Sequence, residues 1–565
     1  MRSLLLASLI ALAVGCKGKN DDTPSPSPGH SAPTPATGTD TAGPTDTHDS
    51  DPLTDSHTGT VNLPLFAAPP LLEVPTTPAG TIGGARRVSV SATASAELTV
   101  TVTGPEGSRS VTWPAATDHV VPLVGLRPDT DYIVQITLQP AADAAQTWPD
   151  LSVRGAPFPA DGPELTVLPV DGGTPVEGYT LLTASSPTAP DGWALLLDDD
   201  AELIWWARLL VPPGDLRLTA DGTLLTLGQA EIIEYDWLGE VLWHGSSIPN
   251  GSPGSLRLAV DGVHHEVVDL PDGTLLTLDT TVVEAPAFPV SYDEPTTFAP
   301  ATIVSNGLVQ LDRSGAELVR VDLDTVLPMS HIGFNSLDPT PVLALPDWAH
   351  ANALVPDPSD GTWLVHLRHL DALVKVSPEG ELRWILGDPA GWPAPQSDAL
   401  LTPTGPLSWP YHAHAPQVHR DGDELTVVLF DNHNEGHTPY TAGPKAQPPS
   451  RVVAYRIDET QGTVEQLWEQ TIDHEGPLYS FALGDADLLD DGTVLGVWGM
   501  LTEEDGQLNS DLGRGDLSAR VVQVDPVSGE RSFDLRIGSS RASSTRGFSV
   551  YRAERVPSLH PQLEP

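Results

Sequence analysis

An all-β chain is predicted, a six-bladed β-propeller preceded by a small β-sandwich, and three observations lead there. Between residues 63 and 160 short apolar runs alternate with polar residues at period two, the pattern of half-buried antiparallel strands. Beyond Gly162 an Asp-Gly pair recurs at Asp191, Asp221, Asp272, Asp360, Asp421 and Asp491, each a hairpin-turn signal feeding a strand. No helical periodicity intervenes. Strand units at blade-sized intervals with nothing helical between them read as a propeller.

The elements follow in order. Residues 1–15 start with Arg2 and carry an apolar run from Leu4 to Val14, too short to span a bilayer. Ala13-Val14-Gly15-Cys16 resembles a bacterial lipoprotein cleavage site, with Cys16 the expected lipidated N-terminus. Lys17 follows, which for a lipoprotein implies the outer membrane. Cys16 is the single cysteine, so the chain has no disulfide and no thiol nucleophile in prospect. Residues 16–62 are rich in Pro, Thr, Ser and Asp and cannot bury enough apolar surface to offset chain entropy, the signature of a disordered tether. Residues 63–160 hold Arg87-Val-Ser-Val-Ser-Ala92, Leu98-Thr-Val-Thr-Val-Thr103 and Tyr132-Ile-Val-Gln-Ile-Thr-Leu138. There Leu126-Arg-Pro-Asp-Thr-Asp-Tyr132 looks like the turn-then-tyrosine entry to a late strand of a fibronectin type III-like sandwich. Residues 161–557 are the propeller. A second turn signature follows each Asp-Gly, at Asp198, Asp236, Asp312, Pro378, Asp458 and Asp525. Six pairs of turns make six four-stranded units, the first the least regular because its two turns lie close together.

Charge narrows the partners. With 28 Lys+Arg against 76 Asp+Glu the net charge is −48, and such a surface repels phosphate backbones and anionic lipid. Nucleic acid is not an expected partner, and membrane contact is expected only through the N-terminal lipid.

Chemistry gathers between Asp347 and Asn432. His265 stands eight residues before the turn glycine Gly273, and His414 eight before Gly422; His350 precedes Gly361 by eleven. Equivalent places in successive blades converge on the channel mouth, and Arg368 follows in the next strand of the His350 blade. Three imidazoles and one guanidinium sharing a polar funnel mark a functional site. Three histidines suit zinc with an open position, but a neighbouring cation opposes metal. An arginine fork beside histidines better suits an oxyanion such as sulfate or phosphate.

His264-His265-Glu with Leu270-Pro-Asp-Gly273, Asp347-Trp-Ala-His-Ala-Asn352, Arg368, Trp384-Ile-Leu-Gly387 and His414 with Phe430-Asp-Asn432 resemble bacterial arylsulfate sulfotransferases. These are periplasmic six-bladed propellers with an N-terminal β domain. The resemblance spans most of residues 160–555, and Ser450-Arg451-Val-Val-Ala-Tyr455 fits as well. It implies that His414 is the nucleophile, forming a sulfohistidine from an aryl sulfate donor before a phenol accepts the group. It casts Arg368, His265 and His350 as stabilisers of the transferring group, one histidine also serving as acid or base. Asn352 either orients His350 or binds a sulfuryl oxygen. Ala413 replaces the family's usual glutamine, and His366 to His369 departs from its usual serine before the arginine. His412 and His419 are expected at the surface or behind the site, and Trp348, Trp363 and Trp384 in blade packing.

No nucleotide cofactor is expected, since no Gly-x-x-x-x-Gly-Lys loop is present, and no metal is assigned. Two other readings stand beside the transferase: a metal-dependent propeller hydrolase, and a non-catalytic propeller that binds a ligand or protein. A homodimer is compatible with the sequence.

Overall fold

The computed structural model describes residues 64–560 apart from short internal stretches, the longest being 435–448, 510–514 and 540–545. The expected signal (1–15), Cys16 and the tether (16–62) lie outside the described residues. Among those described, strand dominates; the one α-helix is the single turn Leu323–Val326, joined by short 3-10 turns.

The N-terminal strands pair as one sheet: Leu71–Glu73, Ala85–Gly104, Gly107–Val124, Asp131–Pro140, Gln146–Thr147 and Leu151–Arg154. This differs from the two separate sheets of the expected sandwich. The two long strands run together along their full length, with irregularities between Ser91 and Leu98. Across the other edge of Ala85–Gly104, the partner changes from Leu71–Glu73 to Asp131–Pro140. The sheet closes on a core of its own that includes Val88, Leu98, Tyr132 and Ile136. The tyrosine turn is present: the Arg127 N–H donates to the Tyr132 hydroxyl at 2.9 Å. Nor does the chain divide cleanly at residue 160. Gly80–Gly83 adds to the edge of Leu203–Leu209, and Glu164–Val167 adds to Arg531–Gly538 near the C-terminus. Gly83 makes the first of these joins possible, because a Cβ there would meet the Trp206 indole at 2.1 Å.

Six further sheets follow, each built on four antiparallel strands. Their first strands are Asp215–Leu218, Val263–Asp269, Ala351–Pro356, His414–Asp421 and Asp485–Leu488, while in the remaining sheet Ala553–Val556 takes that place beside Tyr179–Ser185. From Asp215–Leu218 to Asp485–Leu488, each of these strands touches the next. Five of the six Asp-Gly pairs make the expected turns, with left-handed glycines at Gly222, Gly273, Gly361, Gly422 and Gly492. In three of them the aspartate oxygen takes the threonine amide two residues on, as Asp272 does for Thr274 at 3.0 Å. This explains the Asp-Gly-Thr pattern as an Asx turn. Asp191-Gly192 is the exception, Gly192 opening a strand instead.

The C-terminal strand is locked in by charge. Arg552 donates to Asp215 at 2.8 Å, to Glu266 at 3.0 Å and to Asp485 at 3.4 Å, carboxylates from three different sheets, all buried. Removing one partner of a buried ionic network leaves the others uncompensated, at about 3–5 kcal/mol. Arg552→Leu is therefore expected to lower unfolding stability by that amount in urea titration. A loss below about 1 kcal/mol would refute this account of closure.

Candidate active site

Three of the strands just named carry a register irregularity at one end: between His264 and Val267, between Ala351 and Ala353, and between His414 and Gln417. Bulges re-aim side chains and are common beside active sites. His265 and His350 also hold left-handed backbones, φ 58 and 49, a conformation that costs a non-glycine residue energy and concentrates at functional sites. The convergence expected from the eight-residue count therefore has a different origin. The hairpins differ in length, Asp269 pairing with Leu275 but Asp421 with Glu424, and His414 is a paired residue whereas His265 sits in the bulge. The rings meet because the strands are distorted, not because they are symmetric copies.

They do meet. The His265 and His350 rings lie 5.1 Å apart, and His350 stacks on His369 at 4.5 Å. His414, His350 and Arg368 are all close enough to disfavour a proton on His265. His414 and Arg368 are buried and His265 is half-buried, while His350 keeps 21% of its side chain exposed.

The hydrogen bonds define which nitrogen of each ring carries its proton. Asn432 donates its amide to the carbonyls of Ser480 (2.9 Å) and Leu483 (2.8 Å), so its oxygen must face His414 Nδ1, 2.6 Å away. His414 thus donates from Nδ1, and its Nε2 keeps a lone pair. Burial first, then Arg368, holds the His414 pKa well below the ordinary imidazole value, so the ring is neutral near pH 7. Asp347 serves two rings. Its carboxylate faces His350 Nδ1 at 2.6 Å, and its carbonyl accepts from His369 Nδ1 at 2.6 Å. Burial would raise the Asp347 pKa, but His350 and other imidazoles hold it at about 2, so it is a carboxylate. With its Nδ1 proton spoken for, His369 accepts at Nε2 from Arg368 Nη1 at 3.1 Å. Arg368 also lies over the Phe481 ring, 5.6 Å from its centroid.

One expected role changes. Asn352 is fully buried, donating to the Ala413 carbonyl at 2.8 Å and accepting from His366 Nδ1 at 2.9 Å. It braces the segment that carries His414 rather than binding substrate or orienting His350. His412, expected at the surface or behind the site, lies behind it, fully buried on Asp371 at 2.9 Å with its ring 6.0 Å from that of His369. His419 is half-buried beside Gln417. The tryptophans behave as expected, Trp348, Trp363 and Trp384 all being buried in packing. Reading the sequence assigned no role to Asp347, Asn432, His264 or His369, although three of them stood inside quoted motifs. Their signal was a second polar residue next to, or at hairpin distance from, a site histidine.

The atoms of Asp347, His350 and His369 lie within 4.8 Å of one another, close enough for a metal ion. Here those donors are engaged with each other, and Arg368 stands against them, a poor setting for a cation.

A family model described as arylsulfotransferase (ASST) matches residues 176–552. The chain belongs to that family. Among curated relatives of this arylsulfotransferase-family chain, the arylsulfate sulfotransferase AssT of Escherichia coli O6:H1 is 24% identical over 335 residues, 49% of this chain and 52% of the relative. That of Lelliottia amnigena is 30% identical over 178 residues, 28% of each. The chain thus spans about half the length of the first of these relatives, and less of the second. Solved structures that resemble it include a protein of unknown function from Bacteroides caccae (12% identity, TM-score 0.36, 67% of this chain and 98% of that one). Another is the periplasmic gluconolactonase PpgL of Pseudomonas aeruginosa (13%, TM-score 0.29, 66% and 99%).

Proposed function

We propose that this chain transfers a sulfuryl group from an aryl sulfate ester to a phenol by a ping-pong route through a sulfohistidine at His414, without a nucleotide cofactor. The observation that carries the reading is the His414–Asn432 pair, which keeps a neutral imidazole with its Nε2 lone pair beside an arginine. In the first half-reaction Nε2 attacks sulfur, the S–O bond to the aryl group breaks, and the aryl oxide leaves with a proton from His350 Nε2. In the second, His350 takes the phenol proton, the phenol oxygen attacks sulfur, and the N–S bond breaks to restore His414. Splitting the transfer through a covalent intermediate is the general advantage of nucleophilic catalysis. The ionised Asp347 supports His350 in either protonation state, as a carboxylate does for an acid–base histidine. Arg368 stabilises charge on the equatorial sulfuryl oxygens, as cations do in phosphoryl transfer.

The six sheets form the blades of one propeller over about 161–557, with 63–160 as an N-terminal β domain joined to it through the Gly80–Gly83 edge strand. Lipidation at Cys16, with 16–62 as tether, fits an envelope protein anchored in the outer membrane.

Turnover of 4-nitrophenyl sulfate with and without phenol tests the reaction. Nitrophenol release that rises with phenol, gives parallel double-reciprocal plots and survives chelation supports it. Release indifferent to phenol points to a sulfatase, and release abolished by a chelator to the metal-dependent hydrolase. No release across several aryl sulfates leaves the binding propeller.

A further inference from the structure

We propose that His264 is a positioning residue that holds His265 as a fixed hydrogen-bond donor, its proton on Nε2, through a relay starting at the Ala351 amide. The inference deepens the reading above and rests on its placement of His265 against the transferring group.

Neighbouring residues in a strand ordinarily point to opposite faces. His264 and His265 do not: the bulge and the left-handed His265 backbone bring their rings to 4.9 Å, nearly perpendicular at 86°. The Nδ1 atoms of the two rings are 2.7 Å apart. Two neutral imidazoles make that contact only if one donates and the other accepts.

Asn306 decides which. The Ala351 amide, a donor only, sits 2.9 Å from Asn306 Oδ1. The Asn306 amide nitrogen therefore faces His264 Nε2, at 3.1 Å, and donates to it. His264 then carries its proton on Nδ1 and gives it to His265 Nδ1. His265 is left with its proton on Nε2. Burial pushes the His264 pKa down to about 4 and that of His265 well below the usual range, so neither ring takes a second proton near pH 7.

The site thus holds two neutral imidazoles in opposite tautomers. His414 offers a lone pair at Nε2, and His265 offers an N–H there. A nucleophile needs the first; the growing charge on a sulfuryl oxygen or departing aryl oxygen needs the second. His264 and Asn306 are separated from the reacting atoms by His265, so both act only through it.

The test is ring ¹⁵N NMR on histidine-labelled enzyme, with His265 assigned by its loss in His265→Gln, run beside steady-state kinetics. In the wild type His265 Nδ1 is expected to be pyridine-type and Nε2 pyrrole-type. His264→Leu should release that preference and lower kcat about 10–100-fold, the usual cost of losing a histidine's orienting partner, with KM changed little. His264→Asn places an amide N–H near the lost Nδ1 and should restore both the tautomer and most of kcat. A wild-type His265 protonated at Nδ1, or a His264→Leu enzyme with unchanged tautomer and kcat, overturns the proposal. So does a His264→Asn enzyme as impaired as His264→Leu in both readouts. The NMR result is independent of turnover, so failure of the transferase reading leaves the relay separately decided.

Discussion

His414→Gln is expected to abolish phenol-dependent turnover of 4-nitrophenyl sulfate, by at least about 10⁴-fold, the scale seen when a covalent nucleophile is removed. Glutamine fills similar space and its terminal nitrogen approximates Nε2, but that nitrogen carries hydrogens and no available lone pair. The variant should also lose the one-sulfuryl mass increase that the wild-type protein shows when quenched with donor and no acceptor. His265→Gln, by contrast, retains an N–H where the relay leaves one, and should cost only about tenfold, a small fraction of an oxyanion-donor deletion. Equal losses in the two variants would sink the division of labour between these rings. The wild-type pH profile follows from the same burial. Because the His414 pKa is depressed, the lone pair is lost only as pH falls through that lowered value. The acid limb of kcat/KM assigned to His414 should therefore lie below the ordinary histidine value of about 6.5.

Arg368→Lys is the second large effect, about 10²–10³-fold in kcat by analogy with removal of a preorganised donor at a developing oxyanion. Charge is kept, so a merely electrostatic arginine would tolerate the exchange. The argument is geometric: a guanidinium presents a planar fork to an oxyanion, a lysine a single mobile ammonium. Arg368 is buried, with one nitrogen taken by His369 and its face on Phe481, so its plane is set before substrate arrives. An Arg368→Lys enzyme within about tenfold of the wild type would show that the fork is not used.

Much of this architecture is legible in the residue order because its causes are local. Period-two alternation predicted the N-terminal strands, and Asp-Gly predicted hairpins in five of six places because the glycine's left-handed φ, helped in three of them by the aspartate oxygen, acts within four residues. His265, His350, Arg368 and His414 were identifiable from motif and spacing, and the structure brings them together. Edge additions were not legible: nothing in Gly80–Gly83 or Glu164–Val167 announces which distant strand it will join, and that pairing overrides the tidy boundary near residue 160.

The same divide runs through the site. Which residue types gather at the candidate site was written in the order of the chain: three histidines and an arginine beside strand ends. Which nitrogen of each ring is free was decided only in three dimensions. Asn432 and Asn306 set those tautomers through hydrogen bonds between residues well separated in the chain, and Asp347 through one to His350 three residues on; Asn352 exchanged its expected substrate contact for a brace on Ala413. An imidazole looks the same in sequence whether it donates or accepts. Its role is assigned by the partner that folding brings to the other nitrogen.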